Sequence, residues 1–388
     1  MSIVFYGFSL SIGCRRLYTN DTHLPVPFYQ DGSRYNLAEL HNGYLNLFQN
    51  QQVLFICPGA KNYLKIANQT CDYFKANATC VASNKLKITG NQFNINDMFC
   101  TKSVRADVKE TRRRCNSGYI YEIGYNVTAR NWIPLIKICH VNTTGNTLYT
   151  SHMLGTAMLN VSTKITRISF SLAGFNTNIP VSISYNKAVQ RIRFGSQLRS
   201  PSLGQKYVNN TSYLARGHLT PHADFSMASS QVSTYYYLNT APTWQSLNAG
   251  NWKSVEYTVR KLAKQHGNLH VITGTFGTLK YPDIMDNPTE IYLTGNEIPV
   301  PKYIWKIAYE PVKLKAIVFV MLNDPFIINN NKYSHFCSDV CRDNGFSNTG
   351  WRENAKGLVW CCSYDEFEQI VKYRLNLNVR DTLEFKKT

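Results

Sequence analysis

His218, in the stretch Leu214-Ala-Arg-Gly-His-Leu-Thr-Pro221, is followed along the chain by Asn239, Asn248, Glu256 and Arg260. These residue types suit the hydrolysis of a charged ester. An imidazole titrates near neutral pH and can take a proton from water. An amide oxygen at Asn248 can ligate a hard divalent cation, and the Glu256 carboxylate can hold its waters. Arg216 and Arg260 can neutralise charge that develops on a phosphate. Gly217, beside the histidine, lets the backbone come close to a substrate. Each residue also has an ordinary reading. Arg216-Gly-His218 reads as a loop with a surface histidine, Asn248 as a helix cap, and Glu256 with Arg260 as an i,i+4 ion pair. Phosphodiester hydrolysis is the chemistry that needs all of them together: an activated water, a cation on the scissile phosphate and a stabilised leaving oxygen.

The elements that must carry these groups are partly legible. Trp252, Val255, Val259 and Leu262 form one apolar stripe and predict a helix over Asn251 to Gln265, with Asn248 just before it and Glu256 and Arg260 on one face. Leu269 to Thr273 and Lys315 to Met321 read as buried strands, Ile165 to Leu172 and Pro180 to Tyr185 as further strands, and Tyr364 to Leu375 as a closing helix. Upstream, from about Leu24 to Val141, short alternating segments such as Val53-Leu-Phe-Ile-Cys57 predict a small β-rich region. Its basic run Lys109-Glu-Thr-Arg-Arg-Arg114 reads as a solvated or processing-sensitive loop, with tracking of a nucleic-acid backbone as the alternative. The expected organisation is α+β: a leader over 1–24, a cysteine-rich glycosylated region over 25–150 and the chemical domain over 151–388.

The chain has 388 residues, with 42 Lys and Arg against 24 Asp and Glu, a formal charge of +18. Such an excess favours a polyanionic partner, which gains by releasing counterions, although basic secreted proteins without that role exist. Eleven cysteines fall into two groups, 14 to 139 and 337 to 362, which points to an oxidising compartment. Cys337, Cys341, Cys361 and Cys362 read as two disulfides in preference to a zinc site, since adjacent cysteines chelate poorly. If Cys14 leaves with a leader or stays free, an even set of ten remains. Sequons at Asn20, Asn68, Asn77, Asn126, Asn142, Asn160, Asn209 and Asn210 all precede residue 213, sparing the half that would form a groove for a polymer. The apolar run Ile3 to Gly13 has signal-peptide length, but its basic flank, Arg15-Arg16, follows it. No later segment reaches the ~18 apolar residues of a membrane-spanning helix. A secreted protein without a membrane role is expected.

Together Arg216-Gly-His218, Asn239-Thr-Ala-Pro242, Asn248-Ala-Gly-Asn-Trp252, Glu256 and Arg260 resemble, in order and spacing, the DNA/RNA non-specific endonuclease family of ββα-metal nucleases. The similarity continues through Val271-Ile-Thr-Gly274 and Ile298-Pro-Val-Pro-Lys-Tyr-Ile-Trp-Lys306, over roughly residues 150–385. Its animal branch, with arthropod secreted dsRNases and duplex-specific nucleases, also carries a cysteine-bearing N-terminal region. The resemblance implies a ββα-metal nuclease domain with a mixed or antiparallel sheet, acting on DNA and RNA, double strands included. It implies His218 as general base, Asn248 as direct ligand of Mg²⁺ (or Mn²⁺ in its place), and Glu256 orienting water. Asn239 would support the site, and Arg216 with Arg260 would neutralise the phosphate. Ala215 stands where the family has its leading Asp, His222 stands where relatives commonly have Asp, and only Arg191 or Arg193 is available for an upstream arginine. Ala215 also leaves room for an alternative, a nucleic-acid-binding descendant with weak turnover or none.

Overall fold

In the computed structural model, residues 12–156, 165–327 and 336–386 are described. Eight antiparallel strands form the backbone of the molecule in the order Asp107–Cys115, Gly118–Thr128, Asn131–Val141, Asn146–Leu154, Leu269–Thr278, Pro301–Glu310, Lys315–Leu322 and Val359–Cys362. A short ninth, Asp381–Thr382, runs parallel to Lys315–Leu322. Pro301–Glu310 and Lys315–Leu322 are buried on both faces, so they read as near-continuous apolar runs, whereas one-sided strands alternate. Their alternate side chains go to two cores. Ile304, Ala308, Phe319 and Met321 meet Val255, Val259 and Leu262 of the helix Lys253–His266 on one face. Trp305, Ile307, Val318 and Val320 meet Phe367 and Val371 of the helix Tyr364–Val371 on the other. The architecture is α+β, dominated by sheet.

Several expectations are corrected. Ile165 to Leu172 forms no strand, and its one ladder contact is the isolated bridge of Ser171 with Tyr236. Pro180 to Tyr185 holds one helical turn, Val181–Ser184, instead of a strand. The basic run 109–114 lies within the edge strand Asp107–Cys115 and not in a loop. The boundary expected at residue 150 falls inside the main sheet, because Asn146–Leu154 pairs along Leu269–Thr278. Of the expected leader, residues 1–11 lie outside the described residues, and 12–24 are built into the fold. Ile12–Leu17 pairs with Tyr44–Phe48, and Cys14 is bonded to Cys80, neither free nor spare. Cys71 is the free cysteine among the described residues. Ahead of the main sheet, a six-stranded antiparallel sheet spanning Val26 to Asn94 makes up the first part of the predicted β-rich region, tied by Cys14–Cys80 and Cys57–Cys100, while Asp107 to Val141 belongs to the main sheet.

The C-terminal cysteines pair as Cys337–Cys362 and Cys341–Cys361, so none is a thiolate available to zinc. The loop they close packs on the turn that enters the helix Lys253–His266. Asn251 Nδ2 donates to the carbonyls of Gly350 and Gly357, each at 2.6 Å. A Cβ on Gly250 would meet the Lys356 carbonyl, so only glycine lets the two backbones approach this closely. Replacing Cys341 and Cys361 together by Ser is expected to cost about 3 kcal/mol, read by guanidinium unfolding. A loss under about 0.5 kcal/mol would show that the loop is held without that bridge.

Candidate active site

The strand Leu214–His218 pairs antiparallel with Thr240–Trp244, setting His218 opposite Thr240 and Gly217 opposite Ala241. The chain then passes through Asn248–Trp252, one wide helical turn, into the helix Lys253–His266. Two strands and a helix thus bring the chemical residues together. Side chains alternate along a strand, so Arg216 and His218 share one face and Gly217 takes the other. A Cβ on Gly217 would collide with the Thr243 side chain. The glycine is required by packing between the two strands, not by approach to a substrate as the sequence suggested.

His218 lies against Phe170, with ring centroids 5.1 Å apart, and meets Tyr235 edge-on at 4.8 Å. Its Nε2 is buried and has no hydrogen-bond partner among the described residues. Burial pushes its pKa down to about 3, with His222 and Arg167 adding to the effect. The ring is therefore neutral at physiological pH and able to accept a proton, as a weaker base than an exposed imidazole. Asn239 has a different part. It is fully buried, its Nδ2 donates to the carbonyls of Thr220 and Thr234, and its Oδ1 accepts from Thr220 N at 2.9 Å. It pins the chain just after His218 and does not line the cleft. Arg216 donates from Nε to the Tyr237 hydroxyl at 3.2 Å and lies 5.0 Å over the Tyr185 ring, which fixes its guanidinium.

Asn248 and Glu256 line the same cleft, of about 680 Å³, as His218 and Arg216. Asn248 is no N-cap; its backbone closes the short helix Gln245–Leu247 as the C-cap, and its side chain makes no hydrogen bond among the described residues. Burial raises the Glu256 pKa to about 7, with Asp224 adding to this and Lys306, Arg260 and Lys253 opposing it. Glu256 and Arg260 do not form the i,i+4 pair that their spacing allows. Arg260 instead donates from Nη1 to Asp224 Oδ1 at 2.9 Å, while Asp224 Oδ2 lies 2.9 Å from His152 Nε2. Burial alone would raise Asp224, but the His152 hydrogen bond and the charges of Lys306 and Arg260 hold its carboxyl below the usual range. Lys306, also buried, donates to the Leu219 carbonyl at 3.3 Å and to the Thr273 hydroxyl.

Sequence reasoning missed Asp224, His152, Lys306 and Arg167. Asp224 follows the stretch Leu214–Pro221 by three residues, and Lys306 ends the motif Ile298–Lys306, so both were within reach of a closer reading. His152 and Arg167 carry no local signal. Arg191 donates to the Val208 carbonyl and Arg193 is exposed, and neither lines the cleft; Arg167 does. The cleft cations Arg167, Lys187, Arg216, Lys253 and Arg260 face a single carboxylate, Glu256. An uncommitted amide and, in the same cleft, a half-buried carboxylate that has no ion pair within 4 Å among the described residues suit a hard cation with few protein ligands.

A two-strand-and-helix unit brings a neutral histidine, an amide, a carboxylate and arginines to one cleft. The family model for the DNA/RNA non-specific endonuclease matches residues 116–381, and the chain belongs to that family of nuclease enzymes. A salivary endonuclease of Lutzomyia longipalpis is 33% identical over 281 residues, 71% of this chain and 66% of that protein's length. Salivary protein Tsal1 of Glossina morsitans morsitans is 25% identical over 349 residues, 87% of this chain and 84% of its own. Among solved structures, a chain of the EndoG/EndoGI complex aligns at a TM-score of 0.40 with 16% identity, covering 65% of this chain and 89% of that one.

Replacing Asp224 by Asn leaves His152 and Arg260 without their carboxylate. Urea unfolding at pH 7 is expected to show a loss of about 3 kcal/mol. The folded pKa of Asp224 is depressed, so its contribution is present above the unfolded value near 3.9 and is lost as pH falls through the lower folded value. The gap between wild type and variant should therefore narrow below about pH 4. A gap that is absent at pH 7 would contradict the pairing.

Proposed function

We propose that this chain is a secreted glycoprotein that hydrolyses phosphodiester bonds of DNA and RNA, double strands included, without sequence preference and with the help of one divalent cation. The observation that carries this reading is the neutral, unpartnered His218 in a cleft whose cations far outnumber its one carboxylate. Phosphate backbones enter such a cleft by exchanging counterions for fixed Lys and Arg side chains, which requires no reading of bases. His218 accepts the proton of the attacking water. Arg216, held by Tyr237, and Arg260, held by Asp224, take up charge on the phosphate. Asn239 keeps the segment after His218 in register. Asn248 would hold the cation, magnesium or manganese in its place, and Glu256 its waters, and the ion would supply positive charge to the scissile phosphate. Five disulfides, mostly exposed sequon asparagines and relatives named as salivary proteins support secretion.

Ala215 favours a second reading, nucleic-acid binding with little turnover, because a carboxylate near the histidine is replaced by a methyl group. One assay separates the two: degradation of plasmid and double-stranded RNA with Mg²⁺, with EDTA, and by His218→Ala. The nuclease reading predicts cutting with Mg²⁺, none with EDTA, and a loss of about 10²-fold or more in the variant. Intact substrate in every lane with a salt-sensitive gel shift would establish the binding reading instead. Cutting that survives both EDTA and the substitution would overturn the mechanism.

A further inference from the structure

One turn carrying two overlapping sequons, Asn209-Asn-Thr211 and Asn210-Thr-Ser212, directly precedes Tyr213, which lines the cleft. Lys187 and Tyr213 both line the cleft, and the Lys187 ammonium lies 3.8 Å from the Tyr213 ring centroid. The same ammonium donates to the Asn210 carbonyl at 2.9 Å. The turn is well tied. Asn209 Oδ1 accepts from Thr211 N at 3.0 Å, Ser212 N at 2.9 Å and the Thr211 hydroxyl at 2.9 Å. Ser212 Oγ donates to the Tyr207 carbonyl at 2.9 Å, and Arg191 Nε to the Val208 carbonyl at 3.0 Å. Asn209 is half-buried and its amide oxygen is spent on the turn, whereas Asn210 is exposed with no side-chain hydrogen bond among the described residues. The last of the sequons, all of which precede residue 213, thus lies next to Lys187 and Tyr213 of the cleft.

We propose that Asn210 carries an N-linked oligosaccharide at the lip of the cleft, where it restricts the approach of a long nucleic acid along the Lys187 side. Attachment joins Asn210 Nδ2 to C1 of the reducing-end N-acetylglucosamine of a lipid-diphosphate-linked oligosaccharide. The N–C1 bond forms, the C1–O bond to the diphosphate breaks, and the lipid diphosphate leaves with the electron pair while the amide gives up one proton. A glycan is bulky and hydrated, and here its attachment point is a turn held by several hydrogen bonds. A long, stiff duplex must pass it, whereas a short oligonucleotide can enter beside it. The effect on substrates rests on the nuclease reading above; the attachment itself does not.

The test uses the full chain secreted from insect cells as wild type, Asn210→Gln and Ser212→Ala, the last removing the same sequon while keeping Asn210. Site-resolved mass spectrometry is expected to find a glycan on Asn210 in wild type and on neither variant at that position. Both variants are expected to show a KM for kilobase duplex lowered about threefold, with kcat and the KM for a short oligonucleotide unchanged. An unmodified Asn210, a glycan on Asn209 in its place, or equal KM values for long duplex in all three proteins would overturn the proposal. Wild-type protein that is glycosylated at Asn210 yet inert on every substrate would instead overturn the nuclease reading and, with it, the gating effect.

Discussion

Asp224 is a carboxylate taken out of water and held ionised between His152 and Arg260, with the Lys306 ammonium close enough to favour its charge. Removing one partner from such an arrangement leaves a buried charge uncompensated, so the arrangement tends to persist as a unit. It links the main sheet, which supplies His152 and Lys306, to the helix Lys253–His266, which supplies Arg260, and to the segment that follows His218. The consequence for chemistry is a choice of partner. Arg260 is drawn to Asp224, so Glu256, one turn earlier, is left in the cleft without an ion pair within 4 Å among the described residues. A carboxylate in that state has a raised pKa and a reason to take up a cation.

The rest of the fold aims this unit. Both faces of the central strands are buried, so the sheet offers a stiff floor for the helix. The turn that presents Asn248 is clamped from outside by Asn251 and by the disulfide-closed segment around Gly350 and Gly357. On the other wall, His218 is fixed by ring contacts with Phe170 and Tyr235 and by Asn239 behind it. A site built on rigid elements keeps its geometry without a substrate to organise it.

Much of this was legible in the sequence, and the exceptions have physical causes. The helix Lys253–His266 was readable because a one-sided apolar stripe has only one periodic interpretation, and the four stripe residues are indeed buried. Pro180 to Tyr185 was misread because a short run rich in Val, Ile and Ser has no period long enough to separate a strand from one helical turn. Ile165 to Leu172 alternates in character, yet it runs beside the cleft and delivers Arg167 and Phe170 to it, a role local pattern does not encode. Order along the chain singled out His218, Asn248, Glu256 and Arg260, which line one cleft, but it could not show that Arg260 would prefer Asp224 to Glu256. Pairing of that kind depends on which buried carboxylate the sheet brings near, a long-range property.

The central claim is that Asp224 acts through Arg260, holding it at the cleft and away from Glu256. A double-mutant cycle on single-turnover cleavage of a defined duplex tests this most directly, with Asp224→Asn, Arg260→Ala and the two combined. The account predicts that the double variant cleaves about as fast as the slower single variant, a coupling of more than about 1 kcal/mol in the barrier. Losses that simply add would contradict it.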